Sequence, residues 1–257
     1  MSREIFIDTA NLSEMEKWKR RVDLTGVTTN PLILLTEGSD FTDLKQAATR
    51  ICEVFEGPVS IELTTVLKGD EDIEKMIDEA REYCQLHPNV VAKVPMTVDG
   101  RGLEVAKRLS KEGITVNATA MMTFEQMLLA VKTGAKYVSL FYWRSREHFA
   151  SKGLSLEEAK AKALDTITAV TEFIEKSGAG TQIIVGSIRE AEDVGDVFRA
   201  GAQIVTITPK VLEQMVFNQR TQETIEEFNQ AWEKFLSLKK SKDRNDENFS
   251  ITLSKVK

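Results

Sequence analysis

Cysteine and histidine are the scarcest chemically reactive residues of this 257-residue sequence, with two of each. Cys52 and Cys84 lie in stretches of helical character and do not form a C-x-x-C pair, so we expect two reduced thiols in a cytoplasmic protein. His87 and His148 are far apart, and no metal-ligand spacing accompanies them. The sequence therefore indicates no metal site.

The sequence also lacks a surplus of positive charge and any long apolar run. Lysine and arginine number 34 against 40 aspartates and glutamates, which argues against a nucleic-acid partner because phosphate backbones bind surplus cations. No apolar run reaches the roughly 18 residues of a membrane span. The N-terminal residues 1–8 contain no apolar segment of signal-peptide length. We expect neither nucleic acid nor membrane as a partner.

Glycine-rich nucleotide-binding motifs are absent as well. The sequence contains no P-loop, no G-x-G-x-x-G after the first predicted strand and no G-x-S-x-G elbow. These absences remove the usual signals of dinucleotide binding and of serine hydrolases. No cofactor is indicated.

Short β-rich runs alternate with longer amphipathic stretches along most of the chain. Strands are predicted over residues 4–8, 26–29, 59–63, 89–95, 114–117, 137–141, 182–186 and 203–207, and helices over 10–21, 41–55, 70–86, 100–112, 123–133, 155–176 and 189–200. Eight parallel βα units close a barrel, so we predict an α/β fold, a single (β/α)8 TIM barrel over residues 1–217. The alternative is an open doubly wound sheet, which usually has a glycine-rich first turn that this chain lacks.

A further helix is predicted over residues 221–239. Ile225, Phe228, Trp232 and Phe235 recur on one face at spacings of three and four residues. This apolar face must be buried against the barrel or against another subunit. Residues 239–248 are rich in charge and are predicted to form a mobile tail. We expect residues 218–257 to belong to the barrel domain or to dock on a neighbouring subunit.

Polar side chains occur at the carboxyl end of nearly every predicted strand, where (β/α)8 enzymes carry their chemistry. They are Asp8, Thr28, Thr29, Asn30, Glu62, Thr64, Lys93, Asn117, Thr119, Ser139, Arg144, Ser187, Arg189, Thr206 and Thr208.

Lys93 is the most informative of these residues because it interrupts an otherwise apolar strand. Burial favours the neutral amine, which is the nucleophilic form of lysine. Asp8 and Glu62 lie on other strands and are suited to proton transfer beside such an amine. The alternative is a structural lysine that reaches solvent or pairs with one of the two carboxylates.

Arg144, Ser187 and Arg189 follow the neighbouring sixth and seventh strands. Two guanidinium groups and a hydroxyl in this arrangement are typical of a phosphate clamp. The alternative for either arginine is a surface position with loose salt bridges.

Several motifs, taken in order, resemble those of the transaldolase family, in particular the short-chain branch that includes fructose-6-phosphate aldolase. The resemblance runs from about Ile5 to Met215 and comprises IFIDTAN (5–11), GVTTNP (26–31), VAKVP (91–95), VNAT (116–119), GAKYVSLF (134–141) and GAQIVTITPKVLEQM (201–215).

The resemblance implies a metal-free mechanism, without a cofactor, in which Lys93 forms a Schiff base with a ketose phosphate. Asp8 would accept the proton of the C4 hydroxyl as the C3–C4 bond breaks. Glu62 would move protons through a water held with Thr119. Asn30 and Asn117 would hold substrate hydroxyls or the lysine.

The same resemblance implies that Arg144, Ser187 and Arg189 bind the sugar phosphate, and that Thr28, Ser139 and Phe141 also line the substrate site. The implied reaction moves a dihydroxyacetone unit from sedoheptulose 7-phosphate or fructose 6-phosphate to glyceraldehyde 3-phosphate or erythrose 4-phosphate, in the non-oxidative pentose phosphate pathway. It further implies a homo-oligomer, a pentamer or a decamer.

Two positions bear on which branch of the family the chain resembles. Glu62 and Phe141 stand where aldolase-type relatives carry glutamine and tyrosine, and both choices favour a transaldolase. The first alternative is an aldolase that releases free dihydroxyacetone, and the second is a non-catalytic barrel that binds phosphosugars. Leu32, Leu140 and Trp143 depart from the family's usual Ser, Pro and small residue, which affects the expected substrate range.

Overall fold

The computed structural model of the protein describes residues 3–38 and 41–254, and side chains as far as residue 240. The chain divides into two compact units, Met1–Gln214 and Met215–Lys257. The first unit contains all eight strands of the sheet. The second contains the long C-terminal helix.

Eight parallel strands form a closed barrel in chain order, which confirms the predicted (β/α)8 fold. They are β1 (Glu4–Asp8), β2 (Gly26–Thr28), β3 (Val59–Glu62), β4 (Val90–Pro95), β5 (Val116–Met121), β6 (Tyr137–Phe141), β7 (Gln182–Gly186) and β8 (Ile204–Ile207). β1 pairs with both β2 and β8, so neither of the end strands of the chain order is left as an edge.

At least one helix follows each strand of the first unit, and a further helix belongs to the second unit. The helices are α1 (Leu12–Lys19), α2 (Pro31–Glu37), α3 (Leu44–Val54), α4 (Glu71–Leu86), α5 (Arg101–Lys111), α6 (Phe124–Val131), α7 (Tyr142–Ser151), α8 (Leu156–Ser177), α9 (Ala191–Arg199), α10 (Pro209–Val216) and, in the second unit, α11 (Gln219–Ser254). Several begin at a side chain that accepts a hydrogen bond from the first turn, namely Asn11, Asn30, Asp43, Thr123 and Ser155.

Three short helices were not predicted from the sequence: α2, α7 and α10. Each begins within three residues of the carboxyl end of a strand, where the chain emerges at the mouth of the barrel. The segment of α2 does carry a helix-start signal, because Asn30 caps it and Pro31 occupies its first position.

The fifth strand is longer than its predicted range of 114–117. β5 runs to Met121 with an irregular register between Ala118 and Met121, and Ala120 adopts a left-handed backbone conformation (φ 64°). Thr119 therefore lies inside the strand and not beyond it, which corrects the sequence interpretation. Pairing with β4 and β6 decides this boundary.

The interior of the barrel changes from apolar to polar along the strands. At the amino-terminal end an apolar cluster contains Phe6, Val91, Tyr137, Ile184 and Ile204. Two residues further along the same strands come Asp8, Lys93, Ser139, Gly186 and Thr206. Because side chains alternate with a period of two, these residues face the same interior, now at the carboxyl end. An apolar plug thus underlies a polar layer.

In the second unit, α11 continues well beyond the predicted end at residue 239. Residues 219–254 contain neither glycine nor proline, so no residue in this range interrupts a helical backbone. The stretch 239–248, predicted as a tail, is helical. Ile225, Phe228, Trp232 and Phe235 are all about half or more exposed, and the rings of the last two stack at 5.4 Å. Among the described residues, no helix combines the length and the hydropathy that a membrane span requires.

A buried carboxylate joins three helices beside the mouth of the barrel. Asp193 of α9 is fully buried, and its oxygens lie 3.3 Å from Arg146 Nη1 of α7 and 3.5 Å from Lys160 Nζ of α8. Burial raises the pKa of this carboxyl, and the two cations oppose that shift. Removing the carboxylate would leave two partly buried cations without this partner.

We expect Asp193→Ala to lower the free energy of unfolding by about 3 kcal/mol, as is typical when one partner of a buried ion pair is removed. Urea denaturation measures the change. The control is Glu172→Gln, which breaks an exposed pair with Lys176 on α8 and should change stability by less than about 0.5 kcal/mol. Equal effects of the two substitutions would contradict a structural role for the buried cluster.

Candidate active site

A cavity of about 380 Å³ opens at the carboxyl ends of the strands. It is lined by Asp8, Thr28, Asn30, Pro31, Leu32, Ile33, Glu62, Lys93, Ala120, Ser139, Phe141, Arg144, Gly186, Ser187, Thr206 and Thr208. Nine of the twelve predicted site residues are in this set, from six different strands or the segments that follow them. Parallel strands that close into a barrel bring these distant positions to one face.

Another cavity, of about 450 Å³, lies at the opposite end of the barrel and is lined by residues such as Asn89, Ser110 and Lys136. It does not bring an amine and a pair of carboxylates together. Chemistry, and not volume, therefore identifies the carboxyl-end cavity as the candidate active site.

Lys93 is buried in β4 and its amine is held by two partners. Nζ lies 3.0 Å from Glu62 Oε2 and donates a hydrogen bond of 2.7 Å to the carbonyl oxygen of Thr29. The register of β3 and β4 places Glu62 directly beside Lys93. A structural lysine would make the same ion pair, but this one also lines a cavity that holds a second carboxylate.

That second carboxylate, Asp8, is held by the hydroxyl of Thr28, which in turn contacts the hydroxyl of Thr206. Thr28 Oγ1 donates to Asp8 Oδ1 at 2.7 Å and lies 2.6 Å from Thr206 Oγ1. Burial raises the pKa of Asp8, and Lys93 and the Thr28 hydrogen bond lower it by less. Asp8 is therefore a stronger base than an aspartate in water.

Asn117 lies next to Lys93 in the register of β4 and β5, but both ends of its amide are occupied by protein groups. Nδ2 donates to Ser60 Oγ at 3.1 Å, and Oδ1 accepts from Ser139 Oγ at 2.7 Å. Asn117 is fully buried and is not among the residues that line the cavity. Ser60 was missed in the sequence, although it shares a strand face with Glu62 at a spacing of two.

Thr119 is also fully buried and shares the interior face of β5 with Asn117. Its Oγ1 has no hydrogen-bond partner within the described part of the chain. Buried hydroxyls rarely lack a partner, so this atom is a feature that a function has to explain.

The predicted phosphate clamp is only partly assembled. Arg144 and Ser187 line the cavity, and the Arg144 guanidinium lies 5.5 Å from the centre of the Phe141 ring. Ser187 has a left-handed backbone (φ 59°), which typically costs a non-glycine residue about 1 kcal/mol or more. The chain keeps this strained turn at the rim of the cavity.

Arg189 does not line the cavity, in contrast to the sequence prediction. Its Nη1 lies 3.3 Å from Glu147 Oε1, and its guanidinium lies 4.8 Å from the centre of the Trp143 ring. Trp143 Nε1 donates to the same oxygen of Glu147. Sequence patterns did not reveal this arrangement because both partners belong to α7, which was not predicted.

The geometry combines a buried amine, two carboxylates and one arginine in a single cavity. Such a set is suited to attack on a carbonyl group, proton transfer at carbon and oxygen, and binding of an anionic substituent. Within the described ranges, no three histidine, cysteine, aspartate or glutamate side chains are grouped as a metal site.

The sequence matches the family model described as "Transaldolase/Fructose-6-phosphate aldolase" over residues 5–255. Relatives named "Probable transaldolase" include one from Alkaliphilus metalliredigens, which is 36% identical over 90% of this chain and 98% of its own. Another, from Caldicellulosiruptor saccharolyticus, is 39% identical over 90% of this chain and 97% of its own.

A solved structure supports the fold alone. An inosine 5' monophosphate dehydrogenase from Legionella pneumophila superposes with a TM-score of 0.52 at 12% identity, over 79% of this chain and 57% of that one. At this identity, the similarity extends to the barrel and not to the reaction.

Proposed function

Because the chain belongs to the transaldolase/fructose-6-phosphate aldolase family, we propose that it is a transaldolase that moves a dihydroxyacetone unit from a ketose phosphate to an aldose phosphate. The observation that carries the proposal is the Lys93 amine, 3.0 Å from Glu62 in a cavity that also contains Asp8 and Arg144. A Schiff-base transfer between sugar phosphates requires a nucleophilic amine, acid and base groups to move protons, and a site for the anionic phosphate.

The first step joins Lys93 to the ketose. The amine passes a proton to Glu62 and attacks the C2 carbonyl, and a carbinolamine forms. Glu62 returns a proton to the C2 hydroxyl, which leaves as water while the nitrogen lone pair forms the iminium. A water held between Glu62 and Thr119 relays these protons. The hydroxyl of Thr119, which has no hydrogen-bond partner among the residues that the structure describes, supports such a water site.

The second step breaks the C3–C4 bond. Asp8 accepts the proton of the C4 hydroxyl, C4 becomes an aldehyde, and the electron pair of the broken bond moves into the iminium to give an enamine. The raised pKa of Asp8 favours this acceptance. In the third step C3 of the enamine attacks the acceptor aldehyde, Asp8 returns the proton, and hydrolysis releases Lys93 and the new ketose.

Arg144 and Ser187 bind the phosphate group at the rim of the cavity, which fits sedoheptulose 7-phosphate or fructose 6-phosphate as donor. The acceptors are glyceraldehyde 3-phosphate or erythrose 4-phosphate. This reaction belongs to the non-oxidative pentose phosphate pathway and places the protein in the cytoplasm. Arg189 would have to leave Glu147 to join the clamp.

The main alternative is an aldolase that releases free dihydroxyacetone. Release requires a proton on the enamine carbon. The centre of the Phe141 ring lies 5.9 Å from Lys93 Nζ, and phenylalanine has no hydroxyl to help deliver that proton. The enamine therefore persists until an acceptor aldehyde binds and reacts with it. A non-catalytic phosphosugar-binding barrel is the second alternative, and the set of competent side chains around Lys93 argues against it.

We expect borohydride to trap a stable adduct on Lys93 when fructose 6-phosphate is present, because reduction of the iminium makes the bond permanent. Peptide mass spectrometry locates the adduct. Lys93→Arg keeps the charge but should form no adduct and lose more than about 10³-fold in kcat. An adduct on another lysine, or none in the unmodified protein, would reject the Schiff-base role and favour the non-catalytic barrel.

We also expect turnover of fructose 6-phosphate to depend on an acceptor. Without erythrose 4-phosphate the rate should fall at least about tenfold, since a missing proton donor typically costs 10²-fold or more. Phe141→Tyr should raise acceptor-free release of dihydroxyacetone and leave transfer nearly unchanged. Full-rate release by the unmodified protein without acceptor would assign it to the aldolases.

We further propose a homo-oligomer, a pentamer or a decamer, in which the apolar face of α11 is buried. Phe228, Ala231, Trp232 and Phe235 form an open hollow of about 330 Å³ on this helix. Exposed aromatic clusters of this kind are typical of protein interfaces.

Deletion of residues 221–257 should lower the number of subunits in the assembly, because the apolar face is removed. Light scattering gives this number as the mass of the assembly divided by the mass of one chain. The double substitution Phe228→Glu and Trp232→Glu should act in the same direction while the whole chain is kept. The control is Glu226→Gln on the same helix, which leaves the aromatic residues unchanged. An unchanged number of subunits in both altered proteins would contradict the proposed role of α11.

A further inference from the structure

Glu37, the last residue of α2, reaches back to the segment that follows β1. Its Oε2 atom accepts a hydrogen bond from Thr9 Oγ1 at 2.5 Å and another from the backbone N–H of Ala10 at 3.0 Å. Thr9 and Ala10 are almost completely buried, and Glu37 is half-buried. A single oxygen of Glu37 thus binds two donors, and both belong to the buried segment that follows β1.

These contacts join two parts of the active site. Thr9 directly follows Asp8, the proposed base, so a bond to Thr9 restrains the backbone that carries it. At its other end, α2 supplies Pro31, Leu32 and Ile33 to the wall of the cavity. Glu37 therefore fastens a wall of the site to the strand end that bears the base.

The charge of Glu37 also acts on Asp8. The groups that face Asp8 are Lys93 of β4, Thr28 of β2, Glu62 of β3 and Glu37 of α2. Burial is the largest cause of the raised pKa of Asp8; Lys93 and Thr28 oppose it, and Glu37 and Glu62 add to it. Of the two added carboxylates, Glu62 is engaged with Lys93, whereas Glu37 lies outside that pair.

We propose that Glu37 is a positioning residue for the reaction: its carboxylate clamps the backbone next to Asp8 and places a negative charge beside that base. The inference rests on the proposed function, because it assigns Glu37 to the step in which Asp8 accepts the C4 hydroxyl proton. Glu37 itself touches no reacting atom. It acts through Asp8, by geometry and by charge.

Glu37→Gln separates the two contributions. A glutamine carbonyl oxygen still accepts from Thr9 and Ala10, so the clamp remains while the charge is lost. Loss of a nearby negative charge lowers the pKa of Asp8, so the acid limb of the kcat/KM profile, where the rate falls because Asp8 becomes protonated, should move to lower pH. A weaker base should also lower kcat on the plateau by about two- to fivefold.

Two further variants control for structure and for net charge. Thr9→Val removes one hydrogen bond but keeps the charge, so it should leave the acid limb where it is. Glu82→Gln removes a charge that pairs with exposed Lys45 on the outer helices, and it should also leave the limb in place. If Glu37 holds the backbone but has no electrostatic role, the acid limb of the kcat/KM profile of Glu37→Gln will not move. That result would overturn the proposal.

A ¹³C NMR titration of the Asp8 carboxyl measures the effect of Glu37 on Asp8 in the absence of substrate. The Asp8→Asn variant assigns the Asp8 signal. We expect Glu37→Gln to lower the Asp8 midpoint by the shift seen in the rate profile. A lowered midpoint in a protein whose Lys93 forms no borohydride adduct would reject the proposed function but not the effect of Glu37 on Asp8. A Lys93 adduct with an unmoved midpoint and limb would reject the role of Glu37 alone.

Discussion

The ion pair between Lys93 and Glu62 is the interaction on which the site depends. Burying two charges is costly, and a contact of 3.0 Å, with a further bond from Lys93 to the Thr29 carbonyl, offsets that cost only if both strands are held in register. The closed barrel supplies this restraint, because β3 and β4 each have a neighbour on both sides. The reactive amine is therefore held by the scaffold and not by loops.

Several of the side chains that orient the polar groups around this pair are neutral hydroxyls. Thr28 donates to Asp8 and is itself in contact with Thr206, while Ser60 and Ser139 hold the two ends of the Asn117 amide. Hydroxyls rotate to donate or accept, so they orient a charged group without competing for its proton. Glu37 is different, because it contributes a hydrogen-bonded clamp and a charge from outside the barrel.

Sequence reasoning predicted the barrel, and nine residues that line the candidate site, for one physical reason. Each buried strand is a short apolar run, and a polar residue near its carboxyl end stands out against that background, as Lys93 does. Sequence patterns do not reveal contacts between elements. Glu147 and Trp143 of α7 contact Arg189 outside the cavity, and the place of Arg189 in the phosphate clamp stays a prediction. Thr119 was placed beyond a strand that in fact contains it.

The sequence by itself determined the eightfold alternation of strand and helix and the chemical types available at the strand ends, because both follow from local periodicity and composition. Only the tertiary structure decided which of those groups meet. Register sets Glu62 beside Lys93, barrel closure brings Asp8 to the same cavity, and α2 carries Glu37 back to Thr9. These distances depend on the packing of segments far apart in the chain, which no local pattern encodes.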